Sequence, residues 1–147
     1  MAARALCQTD RGGIATGVRV KVLIVDDQVA FRRAAARVLA RLPEFEVVGE
    51  AESGEASIEA TRLLRPDLVL MDVHMPGIGG PEATRRIMSH TTADPPPVVV
   101  LLSTYNAADY GTRALECGAA AYLAKGEFGP DVLRAAWMAA RPDDGSA

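Results

Sequence analysis

Apolar and polar positions follow two periods along this chain, and each switch of period marks an element. Val20-Lys-Val-Leu-Ile-Val25 is an almost unbroken apolar run, the pattern of a strand buried on both faces of a parallel sheet. The period then changes: Phe31, Ala35, Val38, Leu39 and Leu42 share one helical face, and Pro43 ends it. Phe45–Ala51 reads as a second strand. Gly54–Arg65 reads as a helix with Ala56, Ala60, Leu63 and Leu64 inward. Asp67–Asp72 is a third strand. The loop Gly77-Ile-Gly-Gly80 follows, and Pro81 suits the first turn of a helix that runs to His90. Thr91–Pro97 holds three consecutive prolines, which cannot continue a helix. Val98–Ser103 reads as the fourth strand and Ala107–Cys117 as the fourth helix, closed by Gly118. Ala120–Ala124 is the fifth strand and Pro130–Arg141 the last helix. Strand and helix alternate five times, which predicts an α/β fold: a parallel sheet with helices on both faces.

Composition narrows the class. The chain has 147 residues, 49% of them apolar and 24% charged, as in an ordinary soluble globular protein. Its length suits one domain with a real core. A formal net charge of −3 gives no footprint for nucleic acid. The arginines, Arg32-Arg33, Arg37, Arg41, Arg62, Arg65 and Arg85-Arg86, read as solvated helix faces. Cys7 and Cys117 are too few for a disulfide framework or a zinc site, and Cys117 reads as a buried thiol. No run has the apolar length of a membrane span. Residues 1–17 are small, polar and Gly-containing, without the apolar stretch of a signal peptide. They read as a disordered N-terminal tail, residues 142–147 as a C-terminal tail, and the whole as a cytoplasmic protein.

Chemistry gathers where the strands end. The first closes on Asp26-Asp27 and the third on Asp72, followed by Val73-His-Met-Pro-Gly77. The fourth closes on Ser103 and the fifth on Lys125. Carboxylates gathered within a few ångströms repel: a pair at 4 Å costs on the order of 4 kcal/mol at an effective dielectric of 20. A cation relieves that cost. Mg²⁺ fits, because it prefers hard oxygen and binds one or two carboxylates plus a phosphate.

Taken together, these residues resemble the receiver domain of bacterial response regulators, the phosphoryl-accepting part of two-component signalling. The resemblance runs from Arg19 to Ala140 and is to the single-domain, chemotaxis-regulator-like form. It implies a flavodoxin-like, doubly wound, five-stranded sheet of order 2-1-3-4-5 with five helices, in a receiver domain spanning 18–141. That order sets Asp26-Asp27, Asp72 and Ser103 on three successive strands, with Lys125 one strand further and reaching toward Asp72. The resemblance also implies roles. Asp72 is the phosphoacceptor. Asp27 and Asp72 ligate Mg²⁺ directly, Asp26 acts through water, and the His74 backbone carbonyl adds a ligand. Ser103 and Lys125 contact the phosphoryl oxygens, and Ser103 with the aromatic Tyr122 forms the switch. Two departures fall in loops: Gly126-Glu127 after Lys125, which predicts a looser loop there, and Gly79, where Asp or Asn is frequent. His74 and Tyr105 occupy the variable positions two after the acceptor and two after the hydroxyl.

The implied function is a phosphorylation-dependent regulator, not an enzyme beyond taking and losing its own phosphoryl group. Its donor is a histidine kinase or a phosphotransfer protein. Its output is a protein partner or a twin subunit on the face of the fourth helix, fifth strand and fifth helix, without direct DNA or membrane binding. The alternative is the receiver fragment of a helix-turn-helix transcriptional regulator, lacking its DNA-binding domain. A chain ending after its last helix favours the stand-alone expectation. A nucleotide-binding enzyme of the same fold is disfavoured, because no Gly-rich phosphate loop follows the first strand.

Overall fold

The computed structural model describes residues 18–104 and 116–141. Five strands form one parallel sheet: β1 (Val20–Val25), β2 (Phe45–Ala51), β3 (Leu68–Asp72), β4 (Val98–Ser103) and β5 (Ala121–Ala124). They lie in the order β2-β1-β3-β4-β5. Among the described residues there are four α-helices: α1 (Val29–Ala40), α2 (Gly54–Leu64), α3 (Gly80–His90) and α4 (Pro130–Ala140). The further helix expected at Ala107–Cys117 lies outside the described residues, save for its last two. No helix among the described residues is long and apolar enough to cross a membrane.

The near-continuous apolar runs are buried on both sides, as their patterning predicts. Every residue of β3 and β4 is buried. On one face Val22, Ile24, Leu70 and Leu102 pack under Ala35 and Leu39 of α1 and Leu133 of α4. On the other, Leu23, Val69, Met71 and Leu101 pack under Ala83 and Ile87 of α3 and Ile58 of α2. Trp137 lies against the first of these cores, its ring edge-on to Phe45 at 6.4 Å, while its neighbour Met138 is exposed.

Helix α2 departs from the expected face. Leu63 is 63% exposed, Ala56 and Leu64 are also exposed, and the buried positions are Gly54, Ser57 and Thr61. The cause is close approach. A Cβ on Gly54 would lie 2.7 Å from the Ile78 side chain, so the inner face takes small residues. The Ser53 hydroxyl accepts the Ala56 N–H at 3.0 Å and fixes where the helix starts. The buried Ser57 hydroxyl donates to the Gly54 carbonyl at 2.6 Å, so it costs little inside. Leu64 instead folds over Gly49 of β2.

Register decides what meets at the sheet edge. Val25 of β1 pairs with Met71 of β3, Asp72 with Leu102, and Ser103 of β4 with Ala124 of β5. Asp26, Asp72, Ser103 and Lys125 therefore all fall within one residue step of the same edge. Gly80 closes α3 onto that edge: its N–H donates to the Val73 carbonyl at 2.9 Å. A methyl group on Gly80 would overlap the Asp72 carbonyl oxygen and crowd Met71. Gly80→Ala is expected to cost about 3 kcal/mol through overpacking, read as a lower midpoint in urea unfolding with an unchanged slope.

Candidate functional site

The turn after β1 carries two carboxylates with different surroundings. Asp26 is buried and Asp27 is exposed. Both Asp26 oxygens are engaged: Oδ1 accepts the Gln28 N–H at 2.8 Å, and Oδ2 meets Lys125 Nζ at 2.6 Å. Asp72 closes β3 and is 4% exposed. Its Oδ1 lies 3.3 Å from Lys125 Nζ and accepts a long hydrogen bond from the His74 N–H at 3.4 Å. Lys125 thus reaches past the acceptor expected to hold it and sits closer to Asp26. Its side chain is 12% exposed, far from a solvated surface lysine.

One ligand oxygen from each of Asp26, Asp27 and Asp72 falls within 4.8 Å of the others. This donor set is hard, oxygen-only and triply acidic, with one lysine to offset it. It could hold a divalent metal such as Mg²⁺, whose preferences it matches. The loop position of His74, exposed and two residues past Asp72, leaves its backbone carbonyl beside the cluster in sequence.

The remaining expected residues lie where their strands put them. Ser103 is fully buried at the end of β4. Tyr122 pairs with Leu101, two residues before Ser103, and so shares its face of the sheet. The Tyr122 ring packs partly buried against the core that contains Leu101 and Met71. Tyr105 lies outside the described residues. The loop after Lys125, expected to be loose, is a 3-10 turn over Lys125–Glu127, closed by the Phe128 N–H on the Lys125 carbonyl at 3.2 Å.

Three supports of the site have little signal in the sequence. Arg32, expected on a solvated face, turns inward. It donates to the Asp26 carbonyl at 2.7 Å and pairs with Glu50 at 2.9 Å. Glu55, in the first turn of α2, accepts the Ile78 N–H at 3.3 Å and so braces the loop after Asp72. Its carboxylate lies against Gly77, whose φ of +81° suits glycine. Phe31 lies under Lys125. Only the spacing of Arg32 and Phe31, one turn beyond Asp26-Asp27, hints at these roles.

Burial pushes the Asp72 carboxyl up from 3.8 to about 6; the Asp26 charge adds to this and Lys125 opposes it. The consequence for metal-free stability has a definite sign. The folded state holds the proton more tightly than the unfolded one, so stability falls as pH rises from 3.8 to about 6 and stays reduced above. Asp72→Asn removes that loss. It is expected to melt about 5 °C above the wild type at pH 7.5 without metal. The gap should close by pH 4, and thermal melts across that range check it.

Comparison with known proteins gives a consistent relationship. The response regulator receiver domain profile matches residues 22–137. The chain is 47% identical over 108 residues to response regulator GacA of Pseudomonas syringae, covering 73% of this chain and 49% of that one. It is 39% identical over 115 residues to the transcriptional regulatory protein DegU of Brevibacillus brevis, covering 78% of this chain and 47% of that one. Among solved structures it is similar to the signal receiver domain of the response regulator NarL from Mycobacterium tuberculosis. There the TM-score is 0.75 at 31% identity, covering 84% of this chain and 97% of that chain. The chain spans about half the length of the curated relatives it matches.

Proposed function

Because the chain belongs to the response regulator receiver family of two-component signalling, we propose that it is a phosphorylation switch with Asp72 as its acceptor. One observation carries this reading: three carboxylates and a lysine ammonium converge at one sheet edge. An Asp72 oxygen attacks phosphorus, forming the acyl phosphate as the donor's P–N or P–O bond breaks. A histidine donor leaves as imidazole; an acyl phosphate leaves as carboxylate. Lys125 shifts from Asp26 toward the new phosphoryl oxygens, and the Ser103 hydroxyl donates to one of them. Mg²⁺, held by Asp27, Asp72 and the His74 carbonyl with Asp26 through water, would neutralise charge on the transferring group. The engaged oxygens of Asp26 support that division, since Asp27 has no such partner among the described residues. Water later hydrolyses the acyl phosphate and resets the switch.

Signalling follows from the added charge, roughly −1.5 to −2 per phosphoryl group. Ser103 and Tyr122 share a sheet face. Drawing the hydroxyl toward the phosphate makes room for the ring to turn inward, which changes the surface around β5 and α4. The donor is a histidine kinase or phosphotransfer protein, and the output is a protein partner or a twin subunit. The cell's interior is the natural place for such a relay. A second reading, the receiver of a transcriptional regulator, is favoured by the similarity to DegU. Neither reading gives this chain a DNA contact of its own, so salt-sensitive duplex-DNA binding by it at physiological ionic strength would count against both.

Acetyl phosphate with Mg²⁺ is expected to retard the protein on a phosphate-affinity gel, and Asp72→Ala to abolish the retardation. A retarded band that survives the substitution would sink Asp72 as acceptor. Asp27→Ala is expected to weaken Mg²⁺ binding at least about tenfold, as loss of a direct ligand should exceed the effect of an outer-shell change. Isothermal titration calorimetry reads this. Wild-type Mg²⁺ affinity should itself fall as pH drops below 6, because Asp72 takes up a proton near there.

A further inference from the structure

Lys125 has a third neighbour besides its two carboxylates. Its Nζ stands 4.7 Å from the centroid of the Phe31 ring. Phe31 sits in the first turn of α1, on the helix that follows Asp26-Asp27. Its ring in turn meets Phe128, with centroids 5.8 Å apart and planes tilted by 57°. Phe128 is brought back there by the 3-10 turn that starts at Lys125 itself. The lysine therefore lies between the acidic cluster and an aromatic pair that joins α1 to the segment leading into α4.

The geometry points to Phe31, backed by Phe128, as the positioning residue that aims the Lys125 ammonium at the acceptor. The inference rests on the reading of Lys125 as the phosphoryl-oxygen partner. An ammonium has three donors and no acceptor, on a flexible four-carbon stem. Asp26 and Asp72 pair with it electrostatically, at 2.6 and 3.3 Å. The ring face attracts the charge through its quadrupole yet takes no proton in a conventional hydrogen bond. It thus covers a side where water would compete and uses no donor that an incoming phosphoryl oxygen would need. A purely aliphatic side chain would fill the space without that attraction. The same contact gives the movement of Lys125 a mechanical route to α4 through Phe128.

The test uses the full chain and beryllofluoride with Mg²⁺ as the phosphoryl mimic, followed by isothermal titration calorimetry. It is paired with acetyl phosphate kinetics. Phe31→Leu is expected to weaken beryllofluoride binding about 3- to 20-fold, the range of a partly desolvated cation–π contact. It should lower the phosphorylation rate at saturating acetyl phosphate and leave the half-saturating concentration nearly unchanged. Phe31→Tyr keeps the ring face and should restore most of both. In a Lys125→Met background, Phe31→Leu should add no further loss, since the partner is gone. Three results would overturn the inference: Phe31→Leu equal to wild type, Phe31→Tyr as weak as Phe31→Leu, or an undiminished Phe31 effect without Lys125. A wild type that binds no beryllofluoride overturns the phosphoryl-acceptor reading itself, and this inference with it. A binding wild type matched by Phe31→Leu removes only the role of Phe31.

Discussion

Everything at this sheet edge answers to one electrostatic problem: three carboxylates lie within 4.8 Å, two of them buried, and one ammonium pairs with those two. Asp26 accepts a backbone N–H and has Lys125 as its ion-pair partner, while Asp72 is left with one long hydrogen bond and a more distant lysine. The imbalance falls on Asp72, whose carboxyl is pushed to about 6, mainly by burial. A site in that condition favours whatever brings positive charge or takes negative charge away. A bound metal cation would do so, and in the proposed reaction a covalent bond to phosphorus would convert the carboxylate into a neutral acyl oxygen with the charge moved outward.

The fold keeps this costly cluster in place by making the backbone rigid around it. β3 and β4 are buried along their whole length, so the strand ends cannot retreat into solvent. Gly80 lets α3 begin directly against the Asp72 carbonyl. Arg32 ties the Asp26 carbonyl to Glu50 of β2, and Glu55 holds the loop beyond Asp72. These braces lie on α1, α2 and β2, which carry none of the expected phosphoryl-contacting side chains. Misplacing a reacting group by an ångström is expensive in any transfer reaction, so the braces matter as much as the groups they hold.

The aromatic pair adds a different kind of control. Phe31, with Phe128 packed against its ring, faces the ammonium without accepting a hydrogen bond from it. On the inference above, Lys125 would be held in direction without losing a donor to its support, a condition that a third carboxylate would destroy. A switch needs such a loosely paired charge, because a fully satisfied one gains nothing by moving. Tyr122 and Ser103 lie beside it on one face of β4 and β5, where the proposed switch would act.

Much of this was legible in the chain itself. Unbroken apolar runs at Val20–Val25 and Val98–Ser103 dictate buried parallel strands, because only strands covered on both faces tolerate them. The residues that close those runs, Asp26-Asp27, Asp72, Ser103 and Lys125, were visible because a parallel sheet brings strand ends to one edge. Tertiary structure decided the rest. Helix α2 turned Ser57 and Thr61 inward and Leu63 outward, since the nearness of Ile78 rewards small residues over apolar ones. Arg32 left the solvated face for a backbone carbonyl, and Gly126 entered a closed turn. Lys125 chose Asp26 over Asp72, and Phe31 became its support. Periodicity reports which side of an element is apolar. Which atom a long side chain finally touches depends on register and on neighbours distant in sequence, and only the assembled sheet supplies those.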